Sequence, residues 1–357
     1  MCAAPHEITL EIRPTARFDV IDVTQQFASD LEDFLAQYRR SLYCSYHTTA
    51  GYLEQSLCAR LNYSRERLDS FLHMFRYLFP PDANYEHDKL HLRHELSDEQ
   101  RRTEPKNADS HLAFIGGGLK NCVTYVNHSP DTPVYFIDLD GVHEHGVRTR
   151  RTTVMGYNRE ELIGELDYPV PVSSHPIDSV NLRDERIGLF DRLGELVKSH
   201  GVTKGRIDIS LDTEESQAGL SVNEYETLLM RNDLAEVLKN PVRFMAEHGR
   251  DALRNPLTIP GKTLNYAQYD LVQLLNELIE KTRMSESFLE KVLAKFMALP
   301  ASRFLRMKRS VSLLVTDRDG NAEGSIVQGT YQSPILIQWS KAEGQTRRLK
   351  IQLLQFS

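Results

Sequence analysis

The chain of 357 residues is poor in cysteine, nearly without tryptophan, and carries no excess of basic residues. Its four cysteines, Cys2, Cys44, Cys58 and Cys122, form no Cys-x-x-Cys pair, so neither a thiolate zinc knuckle nor a disulfide framework is indicated, and reduced, buried thiols are expected. No stretch approaches the ~18 to 20 apolar residues of a membrane span. The amino terminus, Met1-Cys-Ala-Ala-Pro-His-Glu7, lacks a basic region followed by an apolar one. A soluble cytoplasmic protein with no membrane partner is the expectation. The 43 Lys and Arg against 50 Asp and Glu leave a net charge of -7, without the clustered cations that phosphate backbones require, so no nucleic acid partner is expected. What is present is ordinary globular composition, 40% apolar and 26% charged, in a length that suits two domains. Histidine is uneven. Nine of the 13 lie between His47 and His145.

The pattern along the chain is that of an α+β protein with antiparallel sheet. Ile8, Leu10 and Ile12 alternate with polar neighbours as in a half-buried strand, and a second strand is expected from Phe18 to Val23. Thr24 is placed to cap a helix whose packed face is Phe27, Leu31, Phe34 and Leu35. Residues 41 to 49 read as a strand entering a polar turn. A helix from Ser64, with Leu68, Phe71, Leu72 and Phe75, stops before Pro80-Pro81 because proline cannot continue the ladder. Strands follow at 121 to 127, 133 to 139 and 148 to 155. These divide the chain into a first domain over 1–165, a Pro/Ser-rich linker over 166–182, and a region 183–357 without assigned function. That region opens with a helix at 184–200 and a strand at 205–211. Helix-like segments run from Val222 to Leu299, with stripes at Leu271 to Ile279 and Phe288 to Phe296. A four-stranded β-meander closes it at 311–315, 324–328, 335–339 and 348–354. No internal repeat is evident.

His47, His87 and His111 stand in polar contexts between expected elements. Three neutral imidazoles with an open position can bind zinc or a similar divalent ion and activate water, with Asp88 and Asp109 orienting the rings or taking protons. Surface histidines would look the same from spacing alone. His87, His91 and His94 would share one face if 87–97 were helical, the spacing of the zinc-peptidase helix with Asp in place of Glu. Gly116-Gly-Gly118 offers amide groups to a phosphate or is a plain turn. Arg148, Arg150 and Arg151 form a basic cluster that would neutralise a phosphorylated substrate or protect a strand edge. Asp317-Arg-Asp-Gly-Asn-Ala-Glu323 reads as a hairpin turn rather than a calcium loop.

Three blocks in order resemble the YjbQ-like family, often labelled secondary thiamine-phosphate synthase: His47-Thr-Thr-Ala-Gly51, then Asn84-Tyr-Glu-His-Asp88, then Asp109-Ser-His-Leu112 with Gly118 seven residues past His111. Arg150-Arg151 before a strand ending at Gly156 also fits. The resemblance covers about residues 7–157. It implies a small α+β fold, commonly a homotrimer, with histidines and acidic residues in a cleft. By that resemblance His47, His87 and His111 are the expected metal ligands for a divalent ion, Zn or Mg. Asp88, His87 and Glu86 are the expected catalytic groups, and Thr48, Thr49, Gly118, Arg150 and Arg151 the expected substrate contacts. The implied activity is a transferase reaction coupling a pyrimidine pyrophosphate with a thiazole phosphate. The chain departs from the pattern in two places. Glu54-Gln55-Ser56 stands where the family carries Asn-Glu-Asn, and Thr132-Pro133-Val134-Tyr135 where it carries a Trp-Gln pair. Asp140 takes the place of a family glutamate, and Leu96 to Lys106 is an insertion.

The expectation is therefore a metal-dependent enzyme acting on a small phosphorylated or anionic metabolite; a noncatalytic binding or assembly module with the same fold is the alternative.

Overall fold

The structure is a computed structural model describing residues 3–239 and 307–357, apart from 82, 95, 130, 131, 145, 318, 319, 321 and 322. The apolar stripes expected at Leu271 to Ile279 and Phe288 to Phe296 lie outside the described residues. The first half of the chain begins with strands β1 (His6–Ile12) and β2 (Asp19–Asp22) and helices α1 (Val23–Gln26) and α2 (Ala28–Ala36). Strands β3 (Arg40–Ser45) and β4 (Ala50–Gly51) follow, then helices α3 (Gln55–Arg60), α4 (Arg65–Leu78), α5 (Asp98–Thr103) and α6 (Ala108–Gly116). It ends with β5 (Cys122–Val126), β6 (Tyr135–Asp138), a two-strand ribbon β7 (Val142–His143) and β8 (Gly146–Val147), and β9 (Arg150–Tyr157). The cap of α1 is Asp22 rather than Thr24: its carboxylate accepts from the amides of Thr24 and Gln25, leaving Thr24 as the first-turn residue it holds.

Two antiparallel sheets result, ordered β1-β9-β3-β5 and β2-β6-β4. Successive side chains of a strand point to opposite faces, and the larger sheet is covered on both. Tyr43, Val123, Tyr125 and Val154 face a core shared with Leu31, Phe34, Leu68, Phe71, Phe75 and Leu112 of the helices. Leu42, Cys44, Cys122 and Met155 face the other way.

The second half consists of β10 (Glu160–Pro171), β11 (Asp178–Asn181), helix α7 (Leu189–His200), β12 (Gly205–Leu211) and β13 (Ala218–Asn223). A π-helical turn, Leu229–Asp233, leads into α8 (Leu234–Lys239), and after the undescribed residues come β14 (Ser310–Thr316), β15 (Ser325–Val327), β16 (Ser333–Gln338) and β17 (Thr346–Phe356). The sheets are ordered β10-β17-β12-β14-β15 and β11-β16-β13. Leaving out the extra edge strand β15, this is the connectivity of the first half, strand for strand. The register agrees as well. Ala50 pairs with Asp138 and Gly51 with Ile137, as Ala218 pairs with Gln338 and Gly219 with Ile337. The isolated bridge Tyr52 to Lys120 recurs as Leu220 to Lys308. The chain is thus two copies of one fold, a repeat that the sequence reading does not find, because little more than Ala-Gly and Thr-Arg-Arg is shared at matching positions.

Three further expectations are corrected. The proline-rich stretch 166–182 is no linker. Most of it belongs to β10 and β11, and Pro169 and Pro171 are accommodated because β10 is a sheet edge, where a missing N–H costs no ladder bond. The junction between copies falls instead at Asn158 and Arg159, whose amides donate to the Ser357 carbonyl. The four carboxy-terminal strands lie where expected, but only β14 and β15 pair in sequence order; β16 and β17 insert into different sheets. Val222 and Asn223, expected to begin a helical region, are the last residues of the buried strand β13.

The repeats share their packing. Leu42, Cys44, Cys122 and Met155 meet Leu314, Val327 and Phe356 of the second copy, and Tyr157 stacks on Phe356. Leu229, Met230, Leu234, Ile335 and Ile337 join the helical core of the first copy. At one point the backbones nearly touch: a Cβ on Gly329 would lie 2.0 Å from the Tyr46 carbonyl oxygen, so only glycine fits. No helix among the described residues is long and apolar enough to cross a membrane.

Candidate functional site

The site lies at the seam between the repeats. Ser64 caps α4, and the helix ends at Phe79 before the two prolines. The chain then turns back without regular structure, anchored by buried Tyr85, whose hydroxyl donates to the Pro80 carbonyl at 3.1 Å. Asp233, from the second repeat, accepts from the amides of Glu86 (2.8 Å) and His87 (3.0 Å) and so fixes the backbone that carries His87. Asp88 caps α6: one carboxylate oxygen accepts from the amides of Asn107 and Ala108 and from His87 Nδ1 at 3.0 Å. Because a carboxylate only accepts, His87 donates through Nδ1 and keeps its lone pair on Nε2, which faces Arg93 at 3.4 Å.

His111, one turn into α6, meets His87 edge to face with centroids 5.2 Å apart. Its Nδ1 lies 2.7 Å from Asn223 Oδ1. The Asn223 amide is fixed from both ends, because Nδ2 donates to the Thr48 carbonyl and Oδ1 accepts from the Glu224 amide. His111 therefore donates through Nδ1, and its Nε2 lone pair faces Glu224 Oε2 at 3.7 Å. His87 and His111 are each 1% exposed, Arg93 2% and Asn223 0%. Burial, with the charges of Arg93 and Arg148, pushes the His111 pKa well below that of a free imidazole. Burial raises that of Glu224, against the pull of Arg93. A proton in this pair rests on the carboxyl more readily than in water.

The third histidine is held differently. His47 Nε2 accepts from the Arg151 amide at 2.7 Å, and its carbonyl accepts from Asn121 and, at 2.8 Å, from Gln332 of the second repeat. Burial and the guanidinium groups of Arg150, Arg148 and Arg151 push its pKa down to about 3. Arg150 is spent on Asp138 through two 2.7 Å bonds, with Thr49 Oγ1 at 3.2 Å. Arg148 pairs with Asp140 at 2.8 Å, yet its Nε is buried without a hydrogen-bond partner.

The expected residues thus separate. His87, His111 and Asp88 converge. His47 joins them only through its neighbour Thr48 and Asn223. The Glu86 carboxylate pairs with Lys89. Gly118 is a helix stop in the left-handed region; its amide and those of Gly117 and Leu119 donate to carbonyls of α6, leaving none for a phosphate. The Arg151 side chain is exposed, Arg150 is closed by Asp138, and Asp109 pairs with Arg17 at 2.7 Å. His91, within a single 3-10 turn (Leu90–Leu92), and His94, after it, are exposed and share no helical face with His87.

The three-histidine metal set does not fit this arrangement. A backbone amide takes His47 Nε2, and a buried guanidinium faces His87 Nε2 where a cation would have to sit. Among the described residues no group of three or more His, Cys, Asp or Glu is placed to hold a metal ion. Sequence reasoning missed Arg93, Asn223, Glu224, Asp233 and Gln332. A signal exists in the sequence: Asn223-Glu224 and Tyr331-Gln332 are Asn-Glu and aromatic-Gln pairs of the kind the first half lacks, but they lie in the other copy.

One consequence concerns pH. Folded His47 stays neutral down to about 3, whereas the unfolded chain takes up that proton near 6.5. Its contribution to stability is present above pH 6.5 and is lost as pH falls toward 3. In urea titrations, His47→Gln should flatten the loss of stability over that range by about 1.4 kcal/mol per pH unit. Parallel curves for the two proteins would show that His47 is protonated in the folded state.

No family model matches the chain, and no curated protein does. Among solved structures it is similar to a YbjQ-like protein of unknown function from Sulfolobus solfataricus P2, at 16% identity over 55% of this chain and 99% of that one, TM-score 0.29. A hypothetical protein from Aeropyrum pernix K1 matches at 15% identity over 54% and 99%, TM-score 0.29. An uncharacterized conserved protein of the yjbq family from Clostridium acetobutylicum matches at 13% identity over 53% and 98%, TM-score 0.25.

Proposed function

We propose that the chain is an enzyme that binds the phosphate or pyrophosphate of a small metabolite at the seam and moves a proton between His111 and Glu224. The observation that carries this reading is the unspent Nε–H of Arg148, buried beside neutral imidazoles that also feel Arg93, Arg150 and Arg151. An unpaired guanidinium N–H suits an anion, for which arginine supplies planar, charge-assisted bonds. Glu224 and Arg148, partly exposed where His87 and His111 are not, are the side chains that must move to admit it. Within this class, the resemblance of the His blocks implies transfer onto a thiazole phosphate from a pyrimidine pyrophosphate, which supplies a first substrate pair to assay.

Calorimetric titration with inorganic pyrophosphate tests the reading. Saturable binding is expected, weakened about 10- to 100-fold by Arg148→Ala, the worth of one or two charge-assisted hydrogen bonds. Absence of binding, or the same affinity in Arg148→Ala, would sink it. A parallel titration in EDTA should be unchanged, whereas loss of binding there would return the site to a divalent ion. A noncatalytic role is the second reading, favoured by how fully His87, His111 and Arg93 are buried. Formation of the coupled product by wild type and its loss in His111→Asn would exclude that role.

A further inference from the structure

The two repeats are equivalent in fold but not at the positions that matter. Counting from the shared Ala-Gly pairs, Glu215 takes the place of His47, and Gln55-Ser56 the place of Asn223-Glu224. From the common register of β6 and β16, Thr132 stands where the second repeat has Gln332. Gln55 and Glu215 each close on their own copy. Gln55 makes two 2.9 Å bonds to the backbone of Val126, so it does not reach across a seam as Asn223 does. Glu215 accepts from Arg347 and from the Arg348 amide, both at 2.8 Å. Between residues 240 and 306 the sequence contains a single histidine, His248, so a pair like His87 and His111 cannot recur there.

We infer that the chain has one working site, at the seam, and that the second repeat, besides supplying Glu224, positions the three histidines of that seam through Asn223, Asp233 and Gln332. Asn223 is the most informative of these, because it touches no reacting atom and acts by choosing the tautomer of His111. With Nδ1–H committed to Asn223, Nε2 is the nitrogen left to accept a proton. Gln332 fixes the His47 carbonyl and Asp233 the His87 amide, so His47, His87 and His111 each have a backbone or ring contact supplied by the second repeat. The inference rests on the anion-binding reading only for the ligand count, and its test separates the two.

In the full chain labelled with 15N-histidine, His111 should show the Nδ1–H tautomer. Asn223→Ala should convert it to a mixture, while Asn223→Asp, which keeps an acceptor oxygen, should restore it. An unchanged His111 tautomer in folded Asn223→Ala would overturn the positioning role. If Asn223→Ala does not fold, an Nε2–H tautomer in wild type or in Asn223→Asp would overturn it. Titration with inorganic pyrophosphate should give one equivalent per chain, with affinity unaltered by Gln55→Ala. Two equivalents per chain would overturn the single-site inference. No binding at all would fail the anion reading and leave the positioning role decided by the tautomer.

Discussion

With Glu224 replaced by glutamine, turnover of the phosphorylated substrate should fall by about 10²–10⁴-fold, the range for losing a positioned proton-transfer group, while pyrophosphate binding stays at or above the wild-type level. The two effects have different sources. Glutamine keeps the size and a hydrogen-bonding end but cannot release or take a proton opposite His111 Nε2. Binding does not suffer, because the substitution removes a negative charge that lies 3.5 Å from Arg93 and 3.7 Å from His111. An incoming anion then competes with one fewer carboxylate for the same guanidinium. The 3.7 Å separation is too long for a hydrogen bond and leaves the proton path to be completed when substrate is bound, as catalytic contacts often tighten only then. The measurement is kcat and KM for the pyrimidine pyrophosphate and thiazole phosphate pair, with pyrophosphate affinity from calorimetry. An unchanged kcat, or a variant that loses pyrophosphate binding together with activity, would remove Glu224 from the proton path.

How far this could be read from the residues depends on the range of the signal. Local signals worked. The spacing of Leu68, Phe71, Leu72 and Phe75 after Ser64 gave α4, and the pattern at Gly205 to Leu211 gave β12 at its observed bounds. Asp88, expected with Asp109 to orient the imidazoles, bonds the ring of His87, its neighbour in sequence. What failed required distant segments to be brought together. Asp233 lies 146 residues from the amide it holds at His87, and Asn223 lies 112 from His111. No periodicity encodes such pairings. The proline-rich stretch misled because proline marks linkers and sheet edges alike, and only the pairing of β10 with β17 decides between them. The repeat was hidden for a related reason. A fold is preserved by apolar alternation, which many sequences satisfy, whereas the motif residues that would reveal a copy are divided between the two.

The same comparison predicts that a buried charge can be moved from one side of an arginine to the other. Arg150 and Arg347 occupy equivalent positions, are each 4% exposed, and each meets a single carboxylate side chain across a short bond. In the first repeat that carboxylate is Asp138 on β6 and the loop position is neutral His47. In the second it is Glu215 on the loop, and the strand position is neutral Gln338, which accepts from Arg347 Nε at 3.2 Å. Asp138→Gln should therefore cost about 3–5 kcal/mol, because it strands a guanidinium charge in the interior. Adding His47→Glu supplies the carboxylate from the loop, as Glu215 does, and Glu215 also shows that such a side chain can accept from the following arginine amide in the place of His47 Nε2. The double variant should recover at least about 2 kcal/mol of the loss, the scale of coupling between residues in one buried network. Urea unfolding midpoints at unchanged m-value give the comparison. A double variant no more stable than Asp138→Gln would mean that the two arginines, for all their common register, do not sit in interchangeable sites.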